Sequence, residues 1–151
     1  MKAKTIFRMV WLTAAVSAGA AHAALGGDAA SVEADRVAMK GEAVASVANE
    51  LYAVRELQAA TGTSVKEYLS PGGVVFAVSW SGPALPDLRQ LLGAQFDVYT
   101  AAARARNAGP GHLDIREPGL VVQSAGQMRA FFGRAYIPAL VPAGVALDQI
   151  R

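Results

Sequence analysis

Short runs of alternating apolar and polar residues occupy much of the middle of the chain. Residues 50–58, 63–69 and 74–80 each place apolar side chains at nearly every second position, which is typical of half-buried strands. Thr61-Gly62 and Pro71-Gly72 separate these runs with residues that favour tight turns. The pattern therefore predicts three consecutive antiparallel strands.

The third run follows the sharpest turn signal in the chain. Pro71 suits the second position of a type II turn, and Gly72 suits the third position, where φ is positive. Strict alternation then predicts one bulky and one small face for the strand. The bulky face would hold Val74, Phe76, Val78 and Trp80, and the small face Val75, Ala77 and Ser79.

Helical spacing replaces alternation over residues 86–105. Pro86 and Asp87 suit the first turn of a helix, and Gly93 marks a point where it can break into two pieces. Its apolar positions recur at helical intervals at Leu88, Leu91, Leu92, Phe96 and Tyr99. A shorter helix is predicted over residues 31–40, with Ser31 as its N-cap and Gly41 beyond its end.

Strand signals return after a glycine-containing loop at residues 107–111. Residues 112–117 alternate cleanly, Pro118-Gly119 supplies a turn, and residues 120–123 read as the return strand. Residues 127–136 are open to a strand or a helix interpretation. Apolar residues at alternate positions favour the strand: Met128, Ala130, Phe132 and Tyr136.

These elements predict an α+β fold in the order β-β-β-α-β-β-β. Two three-stranded hairpin units would form an antiparallel sheet with one main helix packed on it. The domain itself would span residues 50–137, after an N-terminal segment with a short helix at residues 24–49. Pro138 and Pro142 predict an irregular tail over residues 138–151.

The first 23 residues have the features of a cleaved signal peptide. Lys2, Lys4 and Arg8 precede an apolar stretch at residues 9–20, and Ala21-His22-Ala23 supplies the small residues of a cleavage site between Ala23 and Ala24. An uncleaved anchor is the alternative, but that stretch falls short of the roughly 20 residues that span a bilayer. We therefore expect a periplasmic or secreted protein without a membrane span, whose first mature residues, 24–30, are irregular.

Net charge and cysteine content limit the kinds of partner and cross-link that this chain can have. The chain has 14 basic and 12 acidic residues, and because three basic residues lie in the leader, the remainder has a net charge of −1. This balance gives no support to nucleic-acid binding, which requires a concentrated positive surface. The absence of cysteine excludes disulfides.

Few residues suggest catalysis. His112 is the only histidine beyond the leader, and no nucleophile elbow, P-loop or zinc motif is present, so we expect no cofactor, metal or catalytic residue. Glu50, Glu56 and Glu67 could in principle pair as the carboxylates of a glycosidase. The favoured interpretation is a solvated sheet face on which they meet basic residues, Arg55 and Lys66.

Three residues form the candidate binding surface. Arg129 and Arg134 flank Phe131-Phe132-Gly133, and a guanidinium beside aromatic rings can bind carboxylates, phosphates or sugars. Trp80 ends its strand, where its ring would be partly buried with an accessible indole N–H. For all three, a structural role is the favoured interpretation: an outward strand face for Arg129 and Arg134, and packing for Trp80.

Four segments resemble one family of exported Gram-negative bacterial proteins, that of domain of unknown function 2844. They are Leu25-Gly26-Gly27, VKEYLSPGGVVFAVSWSGP at residues 65–83, PDLRQLLG at 86–93 and RAFFGRAYIP at 129–138. The resemblance implies a single exported domain and assigns no activity. We expect a non-enzymatic domain that binds an unidentified envelope component or protein partner. The alternatives are a carboxylate-dependent hydrolase of an envelope polymer and a purely structural assembly role.

Overall fold

The fold is one antiparallel sheet with helices on one face, and the predicted α+β class is confirmed. The computed structural model describes residues 25–106 and 111–151. The helices are α1 (Ala29–Ala38), α2 (Leu88–Leu92) and α3 (Phe96–Ala105). The strands are β1 (Glu42–Ala48), β2 (Ala53–Gln58), β3 (Ser64–Leu69), β4 (Val75–Gly82), β5 (His112–Glu117), β6 (Leu120–Gln127) and β7 (Ala130–Tyr136). Their spatial order is β1-β2-β3-β4-β7-β6-β5.

Several elements differ from the expected bounds, and the first hairpin unit has four strands instead of three. The structure adds β1, whose small residues show little alternation, and extends β6 to Gln127. The main helix divides at Gly93, as predicted, through a 3₁₀ turn between α2 and α3. α1 begins before Ser31, because the Asp28 carboxylate caps it by accepting the N–H groups of Ala30 and Ser31 at 3.0 Å. β7 confirms the strand interpretation over residues 130–136, whereas Gln127 ends β6 and the next two residues form the turn.

The turn between β3 and β4 is not the predicted type II turn. Positive φ falls on Gly73, at 78°, and not on Gly72. The Gly73 N–H donates to the Ser70 carbonyl at 2.8 Å, and the Ser70 N–H donates to the Val74 carbonyl at 2.8 Å. This is a three-residue hairpin loop in which a type I turn is followed by a left-handed residue. The left-handed backbone conformation that favours glycine therefore falls on Gly73 and not on Gly72.

A β-bulge changes the faces predicted for β4. Tyr68 of β3 lies opposite Ala77, whereas the next residue, Leu69, lies opposite Val75, so Phe76 is an extra residue. As a result Val75 packs on the helix side with Val78 and Trp80, while Phe76 and Ala77 pack on the other side. The faces predicted by strict alternation are therefore wrong for Val75 and Phe76 and correct from Ala77 onward.

Both faces of the sheet are covered. The helices bury one face, where the largest cluster includes Val65, Val78, Leu91 and Leu92. Residues 138–151, which we call the C-terminal segment, cover the other face with two 3₁₀ turns, Pro138–Leu140 and Leu147–Gln149. Ile150 is 1% exposed and packs with Tyr68 and Phe76. The predicted irregular tail thus lacks long elements but contributes to the core.

The residues that begin the described part of the chain, 25–27, are ordered. Leu25 is buried, and its N–H donates to the Leu91 carbonyl at 3.0 Å. Gly26 and Gly27 exchange backbone hydrogen bonds with Val75, each at 2.8 Å. The expectation of an irregular start was wrong for residues 25–30, because this segment is fixed by these bonds, by burial of Leu25 and by the start of α1.

Candidate functional site

A groove of about 480 Å³ lies on the sheet where β5 begins and where β4 and β6 end. We call it the Phe132 groove and define it by the side chains that surround it. They are Ser81, His112, Gln123, Ala125, Phe132 and Arg134. The lining also includes Trp80, Ser124, Gly133, Ile150 and Arg151, so the C-terminal segment contributes to one end. Four strands, β4 to β7, and this segment therefore build one concave surface.

The Phe132 ring provides the apolar surface of the groove. Phe132 lies opposite Ser81 of β4 and opposite Ala125 of β6. Because both neighbours are small, the ring remains 57% exposed although β7 is an interior strand. An exposed aromatic ring in a concavity of this size is a feature of ligand-binding surfaces.

Hydrogen bonds hold the polar wall of the groove in place. Arg134 donates from Nε and Nη2 to Gln123 Oε1 at 2.9 and 2.7 Å, and from Nη1 to the carbonyls of Leu147 and Ile150. Gln123 in turn donates from Nε2 to Asp114 Oδ2 at 3.4 Å. Arg134 thus joins two strands to the C-terminal segment, which explains why this segment lies across the sheet here.

The electrostatic character of the groove is basic and hydrogen-bonding. Among the described residues that line it, Arg134, Arg151 and His112 can carry positive charge, and none is a carboxylate. The polar groups lie beside the apolar Phe132 ring. The arrangement can hold a molecule that combines an apolar face with hydrogen-bond-accepting or anionic groups.

The three residues of the predicted binding surface lie in different environments. Arg134 lines the Phe132 groove, whereas Arg129 is exposed in the loop between β6 and β7 with φ of 64°. Trp80 is also among the residues that line the groove, but it is only 3% exposed and belongs to the cluster under the helices. Its indole packs on β7 at Gly133, where an added Cβ would lie 2.7 Å from Trp80 Cε2. The indole N–H is enclosed without a described partner, contrary to the accessible N–H predicted.

A pair of buried carboxyl groups was missed by the sequence analysis. Glu67 of β3 was interpreted as part of a solvated face, but it is 1% exposed and lies beside Asp35 of α1, which is fully buried. Gln90 Nε2 donates to Asp35 Oδ1 at 2.7 Å. Asp35 and Glu67 are 32 positions apart in the chain, and no local motif connects them.

The pKa values of both carboxyl groups are raised. Burial, followed by the hydrogen bond and the charge of Asp35, raises the pKa of Glu67 to about 9. Burial also raises the pKa of Asp35, against the hydrogen bonds from Glu67 and Gln90. Glu67 is therefore the protonated member at neutral pH. Neither residue lines the Phe132 groove, so the pair joins α1 to the sheet rather than meeting a ligand there.

The described residues offer no assembled metal centre and no membrane-crossing helix. Across residues 25–106 and 111–151, no three histidine, cysteine or acidic side chains converge as metal ligands do. In the same residues, no helix has the length and apolar character that crossing a membrane requires. The predicted leader, with Ala23 and Ala24, lies outside the described residues.

Fold and groove together define a small α+β protein with a preformed surface concavity. Residues 21–150 match the family described as "Protein of unknown function (DUF2844)". Because the match spans nearly the whole chain, the protein belongs to this family, which confirms the resemblance seen in the sequence. No curated protein and no solved structure matches the chain.

Proposed function

We propose that the protein is exported and binds a component of the cell envelope in the Phe132 groove without converting it chemically. The observation that carries this proposal is the Phe132 ring, 57% exposed on an interior strand, in a groove of about 480 Å³. Pockets of roughly 300–1,000 Å³ are typical of small-molecule sites. Binding is favoured over hydrolysis because the buried carboxyl pair found among the described residues, Asp35 and Glu67, does not line the groove.

The lining residues indicate the chemistry of the ligand. Phe132 and Ala125 would contact an apolar face, and the basic side chains of His112 and Arg151 would meet acceptor or anionic groups. Arg134 already donates to protein oxygens, so it orders the wall and contributes positive potential. An amphipathic anionic or sugar-containing envelope component fits this combination.

Export is supported by the charged, apolar and small-residue regions of the leader. The burial of Leu25 is compatible with cleavage after Ala23, because Leu25 belongs to the folded domain. N-terminal sequencing of the protein recovered from the periplasm or medium should give Ala24 as the first residue. Intact Met1 on membrane-bound material would contradict export.

Native mass spectrometry of the protein recovered from the cell envelope tests the binding proposal. We expect an additional bound mass on the parent chain and its loss in Phe132→Ala. Met128→Ala is the matched control, since Met128 is 89% exposed on the adjacent loop but does not line the groove. Absence of any bound mass, or its retention by Phe132→Ala, would refute the proposal.

A further inference from the structure

The first strand of the sheet is exposed along its whole length. All seven residues of β1 are exposed, including Val44 at 61% and Val47 at 65%. β1 is terminal in the strand order and pairs with β2 on one side, and no described strand pairs with its other side. Its outer backbone N–H and C=O groups therefore form an open edge that can accept another strand.

This edge has little of the usual protection against pairing. Proteins commonly protect edge strands with lysine, proline or bulges. Residues 42–48 contain neither lysine nor proline, and Glu42 at the start is their only charged residue. A bulge lies between Ala43 and Ala45, but the remainder of the strand, through Ala48, keeps regular register with β2. The regular part has small side chains that allow another backbone to approach closely.

The surface next to the edge is suited to contact with the same surface on a second copy of the chain. A groove of about 420 Å³ lies between α1 and the first two strands, with Val44 on its wall. Its charged residues balance, two acidic and two basic: Glu33, Glu56, Arg36 and Arg55. In a two-fold interface each patch meets the same patch, so a strongly charged patch would repel its copy, whereas a balanced one does not.

We propose that β1 pairs antiparallel with β1 of a second copy, so that the protein forms a homodimer with a continuous sheet across the two-fold axis. A two-fold axis normal to the sheet brings identical edges together in antiparallel orientation, and the outer hydrogen-bonding groups of β1 then pair with those of its copy. Val44 and Val47 become covered at the contact. The proposal is independent of the Phe132 groove, which lies towards the other end of the strand order.

Sedimentation velocity of the exported chain over a wide range of concentration tests the dimer. We expect twice the mass of the single chain for the parent protein. Val47→Lys should raise the dissociation constant of the dimer by roughly tenfold or more, because it places a charge at the new contact. Met128→Lys is the matched control, an exposed apolar residue outside β1 that should leave the dimer intact.

A second variant keeps the test decisive if Val47→Lys unfolds the chain. Ala48→Lys places the same charge at the exposed last residue of β1. Circular dichroism checks that this variant folds. A parent chain that is monomeric at all concentrations would overturn the proposal. So would a dimer that both folded lysine variants preserve, or a monomer that instead pairs β1 with an extended peptide of another protein.

Discussion

At the scale of single residues, the two glycines after Pro71 have different roles. Gly73 has φ of 78°, with no atom within 4 Å of an added Cβ, whereas Gly72 has no left-handed φ and its nearest contact would be Ser70 Oγ at 3.8 Å. Backbone conformation, rather than space, therefore distinguishes the two positions.

Substituting each glycine by alanine separates these roles. Gly73→Ala should lower the free energy of unfolding by about 1–2 kcal/mol, because an L-residue resists the left-handed region. Gly72→Ala should leave it unchanged or raise it by about 0.4–1 kcal/mol, through a less flexible unfolded chain. Urea denaturation measures both. A larger loss for Gly72→Ala than for Gly73→Ala would show that the turn has the other geometry.

At the scale of elements, the carboxyl pair makes the docking of α1 on β3 depend on pH. The pKa of Glu67 is about 9 when folded against an ordinary value of 4.5, so the folded chain keeps a proton that the unfolded chain releases. Its contribution to stability is complete below about pH 4.5 and is lost as pH rises towards 9. Nearby charges also affect the two pKa values, since Asp87 raises the pKa of Asp35 and Arg55 lowers that of Glu67.

Glu67→Gln tests this dependence. A glutamine amide can donate to Asp35 as the protonated carboxyl does, so the variant should be more stable than the parent near pH 8 and should lose less stability between pH 5 and 8. Glu42→Gln is the control, because Glu42 is exposed on β1. Chemical denaturation at several pH values gives the comparison. Parallel stability profiles for the parent and Glu67→Gln would show that Glu67 is not the proton holder.

The C-terminal segment is a second element whose role can be measured. Ile150 is 1% exposed and Leu147 is 40% exposed in the same segment. Ile150→Ala should destabilise the fold by about 2–5 kcal/mol through lost burial and a cavity. Leu147→Ala should change the free energy of unfolding much less. Similar, small effects of both changes on thermal unfolding would mean that the segment does not cover the sheet in solution.

The spacing of apolar residues along the chain predicted most helices and strands, but it did not predict the β-bulge in β4. Alternation identified β5, and helical spacing with Gly93 identified α2 and α3, because those signals depend on neighbouring residues. The bulge at Phe76 was not predictable in this way, since it arises from register with β3. β1 was missed because an exposed strand of small residues carries no burial pattern.

At the scale of the whole molecule, the candidate site depends on contacts between distant parts of the chain. Arg134 was identified from its aromatic neighbours, but its hydrogen bonds to Gln123 and to the C-terminal segment required the strand order. The sequence likewise showed two consecutive phenylalanines without showing which would remain exposed. The small residues opposite Phe132, on β4 and β6, decide that.

Hydrogen–deuterium exchange tests most directly the central claim that the Phe132 groove holds a ligand. The protein recovered from the cell envelope would be compared with the same protein after unfolding, dialysis and refolding, which removes bound molecules. We predict slower amide exchange in the recovered protein at residues 123–125 and 132–134, with no difference in β1. Identical exchange in the two samples, or differences confined to residues outside the groove, would contradict the account.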